Sequence, residues 1–554
     1  MRKLAPFETL LFVRIGLLLC CCLLVARQMQ AQRFKRYYRS LDHTLPVEWS
    51  LHEIISDPGG QDVIMIGDMK GPPPLNVASA MVMRSNSNGE INFTQAIRTN
   101  FNTLFNGIRG STVAVDPLGN YYLGGNSIQN RFGNGSGSER TITSMAPDGQ
   151  LNWGRLQANH NFESIVFDPQ SGSLFALSGQ IGNTNPLTDM MINQIDQSGN
   201  FLAGTTLLTS GRDQAVKMIL VNRKLLICGT HDLDDQPRII VAMYDMNLQR
   251  EWSYVYENQD FDFNVADLDW DGASAIGVSG TVSNALGEKE AFLLGLSDNG
   301  SPLFFYTYDM AGRFSLDGKS LSSFQANLSR YKRGFLLAGS YTPDHPNQIR
   351  SFLICTDPNG QINWANDYSN FSPWTDFTYE ESIEDLVYLP GAEQFVAVGN
   401  FTRYLRSIPE RKWVFQLRAG LENGWVDHDG DGCAREIQVQ LSRHQISQQK
   451  LGADRMNTGS NGFGYQTETP SLRGTYCIFS PNKVGPITDL EEEYAPIPPK
   501  IPRLAQLFSL DGRRLHKQLL TADKERPDWG ILPTGIYLEW IEGQTPKKII
   551  INSQ

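Results

Sequence analysis

The sequence contains few of the residues that most often carry enzyme chemistry. Only 8 of its 554 residues are histidine, and they are scattered along the chain. The dipeptide His52-Glu53 lacks the second histidine of a zinc-binding helix, and the Gly-x-Ser-x-Gly elbow of serine hydrolases does not occur. These motifs therefore identify no catalytic residue, and we interpret the single histidines as surface residues or satisfied core residues.

Charged residues are also scarce, at 19% of the chain, and the net charge is −11. No basic stripe offsets this acidic excess, so we expect no nucleic-acid partner and interpret the charge as an aid to solubility. The acidic groups Asp234-Asp235 and Glu380-Glu381 with Glu384-Asp385 could in principle serve glycoside hydrolysis. Acidic residues on loops between strands are far more often solvated turn residues, and that is our interpretation.

The chain has seven cysteines, and three of them, Cys20 to Cys22, lie close to the N-terminus. Cys228 and Cys355 lie inside apolar runs, so we expect buried free thiols at these positions. Cys433 and Cys477 flank a segment rich in glycine and serine, and they are the better candidates for a disulfide. Sequence alone does not settle the pairing.

Residues 1–31 have the features of a secretory signal peptide. Arg2 and Lys3 give a positive start, an apolar run extends from Leu10 to Val25, and Ala31 offers a small residue for cleavage. A retained membrane anchor is the alternative, although the uncharged part of the run is short for a membrane span. We expect the mature chain to be exported, in a compartment that permits disulfides.

A short phrase recurs seven times in the next 400 residues. Each copy is an apolar run that ends in glycine and is followed by a small or polar residue, and successive copies are about 50 to 60 residues apart. The seven copies are Val63–Gly67, Tyr121–Gly125, Leu174–Gly179, Leu225–Gly229, Ala275–Gly280, Phe335–Gly339 and Phe395–Gly399. Such a period is typical of a propeller, a solenoid or an array.

Each repeat contains more than its glycine-ended run. A strand precedes the run, and after it come an apolar strand, a turn of the Asp-Gly or Asn-Gly type, and a strand with an aromatic residue. Ile142–Trp153 and Phe352–Trp364 show this pattern well. Four strands joined by hairpins in about 50 residues are typical of a propeller blade. A parallel solenoid is disfavoured because two-residue turns join antiparallel strands.

The sequence therefore predicts an all-β chain in which residues 32–425 form a seven-bladed β-propeller, with six or eight blades as alternatives. We expect the glycine-ended runs to lie near the centre, where blades crowd, and the aromatic residues to pack between neighbouring blades. The strand-like segment Phe34–Leu41 precedes the first full repeat. We expect it to complete the last blade and so to fasten the two ends of the ring.

Residues 426–486 begin with an acidic loop and continue as a polar segment in which we expect irregular structure. Asp427, Asp429 and Asp431 occupy the first, third and fifth positions of an EF-hand-like loop, with Cys433 at the seventh. The twelfth position is Gln438, and Glu436 is the carboxylate that partly replaces it. We expect weak calcium binding, on the order of 10⁻⁴–10⁻³ M. A solvated acidic turn is the alternative.

The end of the chain resembles a known export signal. After a linker rich in proline and glutamate at 487–502, residues 503–554 resemble the C-terminal sorting domain of the type IX secretion system of Bacteroidota, predicted to be a small β-sandwich. Leu507–Leu515 resembles its first hairpin, and Leu532–Leu538 and Lys547–Ile551 match later strands. The matching residues are Gly512, Arg513, Leu532, Pro533, Gly535, Ile536, Tyr537, Lys547 and Lys548.

The resemblance implies export across the inner membrane, recognition by the type IX machinery at the outer membrane, and release or anchoring at the cell surface. The repeats also resemble the loosely defined propeller repeats of exported proteins of the same bacteria. We therefore predict a secreted or cell-surface propeller that binds a glycan or a protein without catalysis. A propeller hydrolase or lyase of polysaccharides is the main alternative, and a structural spacer is another.

Overall fold

The computed structural model describes most of residues 34–422 and shorter segments after them. The described residues are 34–40, 48–70, 78–98, 107–128, 138–158, 160–180, 189–207, 209–310, 315–327, 329–343, 348–368, 378–405, 408–422, 435–436, 438–451, 477–479, 484–487, 503–509, 514–520, 535–541 and 547–551. The chain divides into two compact units, Met1–Pro486 and Ile487–Gln554. Within the described ranges, no helix has the length and apolar character needed to cross a membrane.

The first unit is an all-β propeller of seven blades, as the repeats predicted. The N-terminal strand β1 (Phe34–Ser40) precedes the first blade. The first blade contains β2 (Glu48–Ser56), β3 (Val63–Lys70), β4 (Ala78–Ser85) and β5 (Ile91–Arg98). The second contains β6 (Gly107–Val115), β7 (Tyr121–Ile128), β8 (Ser138–Met145) and β9 (Leu151–Ala158). The third contains β10 (His160–Asp168), β11 (Ser173–Gln180), β12 (Met190–Ile195) and β13 (Phe201–Leu207).

The remaining blades have the same antiparallel order. The fourth blade contains β14 (Arg212–Val221), β15 (Lys224–Leu233), β16 (Gln236–Asp245) and β17 (Arg250–Glu257), and the fifth contains β18 (Phe261–Trp270), β19 (Ile276–Asn284), β20 (Lys289–Leu296) and β21 (Pro302–Met310). The sixth contains β22 (Ser315–Gln325), β23 (Arg333–Thr342), β24 (Arg350–Thr356) and β25 (Ile362–Asp367). The seventh contains β26 (Thr378–Leu389), β27 (Gln394–Leu405) and β28 (Ile408–Gly420).

The hydrophobic core consists of layers between neighbouring blades. One large layer joins the fourth and fifth blades, and it includes the buried side chains of Trp252, Phe263, Phe292 and Phe305. A similar layer between the fifth and sixth blades contains Tyr308 among others. Because each sheet buries both faces against its neighbours, a blade is stable only as part of the ring.

The glycine-ended runs, which we predicted to lie near the centre, form the second strand of each blade and are not the strands nearest the axis. Hydrogen bonds between the first strands of neighbouring blades place those strands around the axis instead. The second strands are the most apolar because they are paired on both edges and covered on both faces. The first strands border the axis and therefore carry more polar residues.

The prediction that aromatic residues pack between blades is confirmed. The indole N–H groups of Trp153, Trp252 and Trp364 donate to backbone carbonyls in the next blade, at 2.6, 3.1 and 2.9 Å. Trp153 lies over Gly199, which has a φ of 81°. A Cβ at this position would be only 2.8 Å from the indole ring, so a side chain does not fit. Each tryptophan therefore joins the outer strand of one blade to a turn or loop of the next.

The ring is closed by the N-terminal strand. β1 pairs antiparallel with β28, with Phe34 opposite Arg418 and Tyr38 opposite Val414, and so takes the fourth position in the seventh blade. Side chains strengthen this seam between the seventh and first blades: the amide of Gln416 donates to the hydroxyl of Ser85 at 2.9 Å. The ends of the propeller are thus held together by backbone pairing and by buried side-chain contacts.

The segment after the propeller adds a fifth strand to several blades. β29 (Arg435–Glu436), β30 (Val439–Arg443) and β31 (Ser447–Lys450) lie on the outer strands of the sixth, fifth and fourth blades, and β32 (Cys477–Phe479) and β33 (Val484–Ile487) extend the first and seventh. The prediction of irregular structure between residues 440 and 485 was therefore wrong for β30 to β33. Outer strands offer unpaired backbone groups that even polar, poorly periodic segments satisfy.

The second unit contains a four-stranded antiparallel sheet in its described part. Its strands are β34 (Arg503–Ser509), β35 (Arg514–Leu520), β36 (Gly535–Ile541) and β37 (Lys547–Ile551), in the order β35-β34-β36-β37. Of the residues that match the sorting signal, Gly535, Ile536 and Tyr537 lie in β36, and Lys547 and Lys548 lie in β37. Gly512, Arg513, Leu532 and Pro533 lie outside the described residues, as does the predicted signal peptide at 1–31.

Candidate functional site

The axis of the propeller is surrounded by a ring of seven equivalent residues. Each innermost strand has a shift in register, typical of a β-bulge, at the same place. The residue directly after each bulge is polar, although nearly all of these residues are buried. We call the seven residues the axial ring: Glu53, Thr112, Ser164, Lys217, Asp267, Ser320 and Asp385.

Most ring side chains hydrogen-bond to the residue that follows the ring position in the next blade. Glu53, Asp267 and Asp385 accept from the backbone N–H groups of Val113 (2.7 Å), Leu321 (2.7 Å) and Ile54 (2.8 Å), respectively. The hydroxyls of Thr112 and Ser320 accept from Ile165 (3.1 Å) and Leu386 (3.2 Å), and that of Ser164 donates to the carbonyl of Met218 (3.2 Å). These contacts hold neighbouring blades together at the axis.

Lys217 is the exception in the ring. Its ammonium reaches across the axis from the fourth blade to Glu53 of the first blade, at 2.5 Å. The Lys217 side chain is 22% exposed and that of Glu53 is 8% exposed, so the pair is only partly screened by water. Burial disfavours the ammonium, but the nearby carboxylates of Glu53, Asp385 and Asp267 outweigh it and raise the pKa of Lys217.

The surroundings of Lys217 also make proton loss from Asp267 and Asp385 unfavourable. Burial raises the pKa of Asp385 to about 7, with Lys217 opposing this shift and the carboxylates of Asp267 and Glu53 adding to it. Burial also raises the pKa of Asp267, against the attraction of Lys217. Two buried aspartates therefore lie beside a single lysine that already pairs with Glu53, and this arrangement favours a neutral carboxyl group.

A second layer of contacts explains the polar residue that follows several of the repeat glycines. Asp68 and Asn400 accept from the backbone N–H groups of Gly110 and Leu51 in the next blade, both at 2.8 Å. The hydroxyl of Thr281 accepts from the N–H of the next blade in the same way, at 3.0 Å. The polar residue of the repeat phrase thus has a structural role, since it joins the second strand of one blade to the inner strand of the next.

The bulged residues themselves are more accessible than the ring. His52 is exposed, and Lys319 and Glu384 are partly exposed. The ammonium of Lys319 lies 3.0 Å from both carboxylate oxygens of Glu384, and the imidazole of His52 lies 3.0 Å from a carboxylate oxygen of Asp68. His52, Lys319 and Glu384 are thus accessible polar groups on the inner strands, next to the ring.

The two ends of the axis differ in their connections. We call the end at which the innermost strands begin the entry end. At this end seven to nine residues separate β3 from β4, β5 from β6, β7 from β8 and β11 from β12, although only two separate β15 from β16; several turns at the other end have four or five residues. Because long connections carry binding residues more often than tight turns, the entry end is the candidate binding face.

One buried pair was missed by sequence reasoning. His231 Nδ1 lies 2.7 Å from Asp213 Oδ1, and the hydroxyl of Thr209 donates to the other oxygen of Asp213 at 2.9 Å. Burial raises the pKa of Asp213, although His231 and Thr209 oppose the shift. Single histidines gave no signal for this pair, because Asp213 and His231 meet only through the register of the consecutive strands β14 and β15.

The acidic groups noted in the sequence have different positions. Asp234 and Asp235 form an exposed turn, each with a φ of 58°, which confirms the interpretation of a solvated turn. The interpretation was wrong for the second group, because Glu381, Glu384 and Asp385 lie on the innermost strand β26. Glu381 is fully buried, Glu384 pairs with Lys319, and Asp385 belongs to the axial ring.

The residues predicted to bind calcium are largely beyond the described part of the chain. Asp427, Asp429, Asp431 and Cys433 lie outside it, and Glu436 lies in the short strand β29. Cys477, the other half of the candidate disulfide, lies in β32. Among the described residues, no group of three or more histidine, cysteine, aspartate or glutamate side chains is arranged to hold a metal ion.

The predicted free thiols are confirmed. Cys228 and Cys355 are unpaired and fully buried in the second strand of the fourth blade and the third strand of the sixth. Burial raises the pKa of both thiols, so neither is a reactive thiolate at neutral pH. These cysteines act as small apolar core residues.

Comparison with known proteins adds no family to this description. No protein-family model matches the chain, and no curated protein matches it. Among solved structures, the chain is similar to the β-propeller domain of the trilobed protease from Pyrococcus furiosus (10% identity, TM-score 0.38, 71% of this chain and 96% of that chain).

Two further solved structures show the same level of likeness. One is Trypanosoma rangeli sialidase in complex with sialic acid (12% identity, TM-score 0.35, 67% of this chain and 54% of that chain). The other is a subtype N10 neuraminidase-like protein of a little yellow-shouldered bat virus (11% identity, TM-score 0.30, 69% and 99%). Likenesses of this size carry no conclusion about the activity of the chain.

Proposed function

We propose that this protein is an exported β-propeller that binds a partner at its entry end without catalysis. The observation that carries the proposal is the use of the ring carboxylates. Glu53, Asp267 and Asp385 each accept a backbone N–H of the next blade, and Glu53 also pairs with Lys217. Carboxylates with these structural contacts are poorly placed to protonate a substrate or to attack it.

The ligand class that fits the entry end is a glycan or a polar protein surface. Accessible polar groups near the axis include the charged pair Lys319–Glu384 on two inner strands and His52 on β2, which pairs with Asp68 on β3. Such groups donate and accept hydrogen bonds with hydroxyls or with polar side chains. The experiment must therefore detect binding and bond cleavage separately.

We would measure binding of the purified mature chain to an array of glycans, and in parallel incubate it with polysaccharides and analyse the products by mass spectrometry. We expect specific binding with no product formed. The variant Lys319→Ala should weaken binding, whereas Lys224→Ala should not, because Lys224 forms an exposed pair with Glu251 at the end of the fourth blade opposite the entry end. Cleavage that is lost in Glu384→Gln would replace this proposal with the polysaccharide hydrolase or lyase.

Export by the type IX secretion system is the second part of the proposal, and it rests on the resemblance of residues 503–554 to the sorting domain. We would follow the full chain and a chain ending at Pro502 by mass spectrometry of intact cells, periplasm and culture fluid. The full chain should reach the surface or the medium, and the shortened chain should stay in the periplasm. Normal surface delivery of the shortened chain would contradict the export route without affecting the binding proposal.

We also propose that the loop from Asp427 to Cys433, with Glu436, binds calcium weakly. The support is the spacing of its carboxylates at the first, third and fifth positions. Calcium there would stiffen the exit of the chain from the seventh blade, and it has no role in the binding proposed above.

A further inference from the structure

The hydroxyl of Ser320 lies between two carboxyl groups of the axial ring. Its oxygen is 2.9 Å from Asp267 Oδ2 and 2.5 Å from Asp385 Oδ1. The same oxygen also accepts the backbone N–H of Leu386 at 3.2 Å. All three side chains are buried, so water does not replace these contacts.

These distances require one more proton than Ser320 supplies. A hydroxyl has a single proton to donate and accepts through its lone pairs, whereas an ionised carboxylate only accepts. If both carboxylates were ionised, the serine could donate to one of them, and the other would face the hydroxyl oxygen without a proton between them. A proton on one carboxyl group completes the chain, because that group donates to Ser320 and Ser320 donates to the other.

We infer that Asp267 and Asp385 share one proton through Ser320, so that the contact between the fifth, sixth, seventh and first blades is sensitive to pH. The contact comprises three hydrogen bonds between blades. In these, the backbone N–H groups of Leu321, Leu386 and Ile54 donate to the side chains of Asp267, Ser320 and Asp385, respectively. Loss of the proton makes both carboxyl groups acceptors and breaks the bridge at Ser320. The blades are therefore held most firmly while the proton is present.

The charges around Asp267, Ser320 and Asp385 also favour the state with the shared proton. Lys217 on β14 faces both aspartates and is already paired with Glu53 on β2. With the shared proton the four groups have one surplus negative charge, and without it they have two. The other titratable groups nearby are Cys228 on β15, whose buried thiol is neutral, Asp269 on β18, and the ion pair of Lys319 with Glu384.

The sign of the pH effect follows from the two states of Asp385. In the unfolded chain its pKa is the ordinary 3.8, and in the folded ring burial raises the pKa to about 7. The folded state therefore binds the extra proton between these values, and the contribution to stability is complete below about pH 4 and is lost as the pH rises through about 7.

Infrared spectroscopy tests the shared proton directly, because a protonated carboxyl group absorbs apart from a carboxylate. In the wild-type chain we expect a protonated carboxyl band at pH 6 that disappears as the pH rises through about 7. Asp385→Asn should lack this band, since the asparagine amide donates in place of the proton. Glu384→Gln, one residue away and outside the bridge, should keep it. A pH-dependent band of equal size in wild type and Asp385→Asn would overturn the inference.

Urea unfolding at several pH values provides a second readout. Between pH 5 and 6.5 the ratio of the wild-type unfolding constant to that of Asp385→Asn should rise about tenfold per pH unit, as expected for one proton. Asp267→Asn should remove the same slope, and it serves as the test if Asp385→Asn does not fold. Equal slopes in wild type, Asp385→Asn and Asp267→Asn would also overturn the inference.

Discussion

Replacing Lys217 with methionine is the sharpest test of the axial ring as a structural device. The substitution keeps most of the apolar length of the side chain and removes its charge. It leaves Glu53, Asp267 and Asp385 close together with no cation among them. We expect a large loss of stability, because removing one partner of a buried ion pair leaves the other charges without compensation.

The magnitude follows from the distance and the exposure. At 2.5 Å and an effective dielectric constant of about 20, the attraction between the Lys217 ammonium and Glu53 is about 6 to 7 kcal/mol. Bringing the lysine out of water offsets part of this, and its 22% exposure allows some screening. We therefore expect Lys217→Met to lower the free energy of unfolding by about 3 kcal/mol, at the lower end of the range for broken buried pairs.

The assay is urea unfolding of the mature chain at pH 7.5, with Lys224→Met as the matched control. Lys224 pairs with Glu251 at a similar distance, 2.7 Å, but the two side chains are 41% and 34% exposed. The control should lose at most about 1 kcal/mol. Adding Glu53→Gln to Lys217→Met should recover part of the loss. Equal effects of Lys217→Met and Lys224→Met would refute the structural role that we assign to the ring.

Three further predictions concern a repeat glycine, a tryptophan between blades and the proposed calcium loop. A Cβ on Gly339 would lie 2.0 Å from the carbonyl oxygen of Asp317, so Gly339→Ala should destabilise the propeller by about 3 kcal/mol or more. A Cβ on Gly179 would meet no atom within 4 Å, so the control Gly179→Ala should change the urea midpoint little. Trp364→Phe should cost roughly 1 to 3 kcal/mol in the same measurement, because it leaves the carbonyl of Leu421 without its 2.9 Å donor. A chelator should lower the melting temperature of the wild-type chain but not that of Asp429→Ala, and an identical response in both would contradict calcium binding at that loop.

The repeat phrase was sufficient to predict the propeller because two of its features have local physical causes. At five repeat positions glycine is required because the backbone of the bulged inner strand lies against the second strand: a Cβ on Gly67 would be 1.9 Å from the carbonyl oxygen of Ser50, whereas Gly179 has open space. Tryptophan recurs after the hairpin because it packs over the turn of the next blade, as Trp153 does over Gly199. Both features are visible in one sequence and repeat with the blade.

The position of the inner strand was not predictable from apolar content. The glycine-ended runs are more apolar than the strands that precede them, and apolar content favoured a central position for the runs. In a propeller the axis is bordered by strand edges and bulges, so the strand nearest to it carries polar residues such as Lys217 and Asp267. Burial is greatest one strand further out, where Leu226 and Val278 are fully buried.

The contacts across the ring were beyond sequence reasoning for another reason. Lys217 and Glu53 are 164 residues apart and belong to blades that are not neighbours. Neither residue is in the repeat phrase, and their meeting depends on the number of blades and on the register of each inner strand. The fifth strands have the same origin, since β30 and β31 are polar segments whose pairing is determined by the outer edges that they meet.

Acidic residues at the axis of a propeller invite a catalytic interpretation, and the geometry of this chain argues for a different one. Asp385 and Asp267 occupy the same ring position as Thr112 and Ser320, and all four accept a backbone N–H of the next blade. A position that is filled equally by carboxylate and hydroxyl side chains is selected for hydrogen bonding between blades. Any ligand of this propeller is therefore expected to be recognised above the ring, by Lys319, Glu384 and the connections at the entry end.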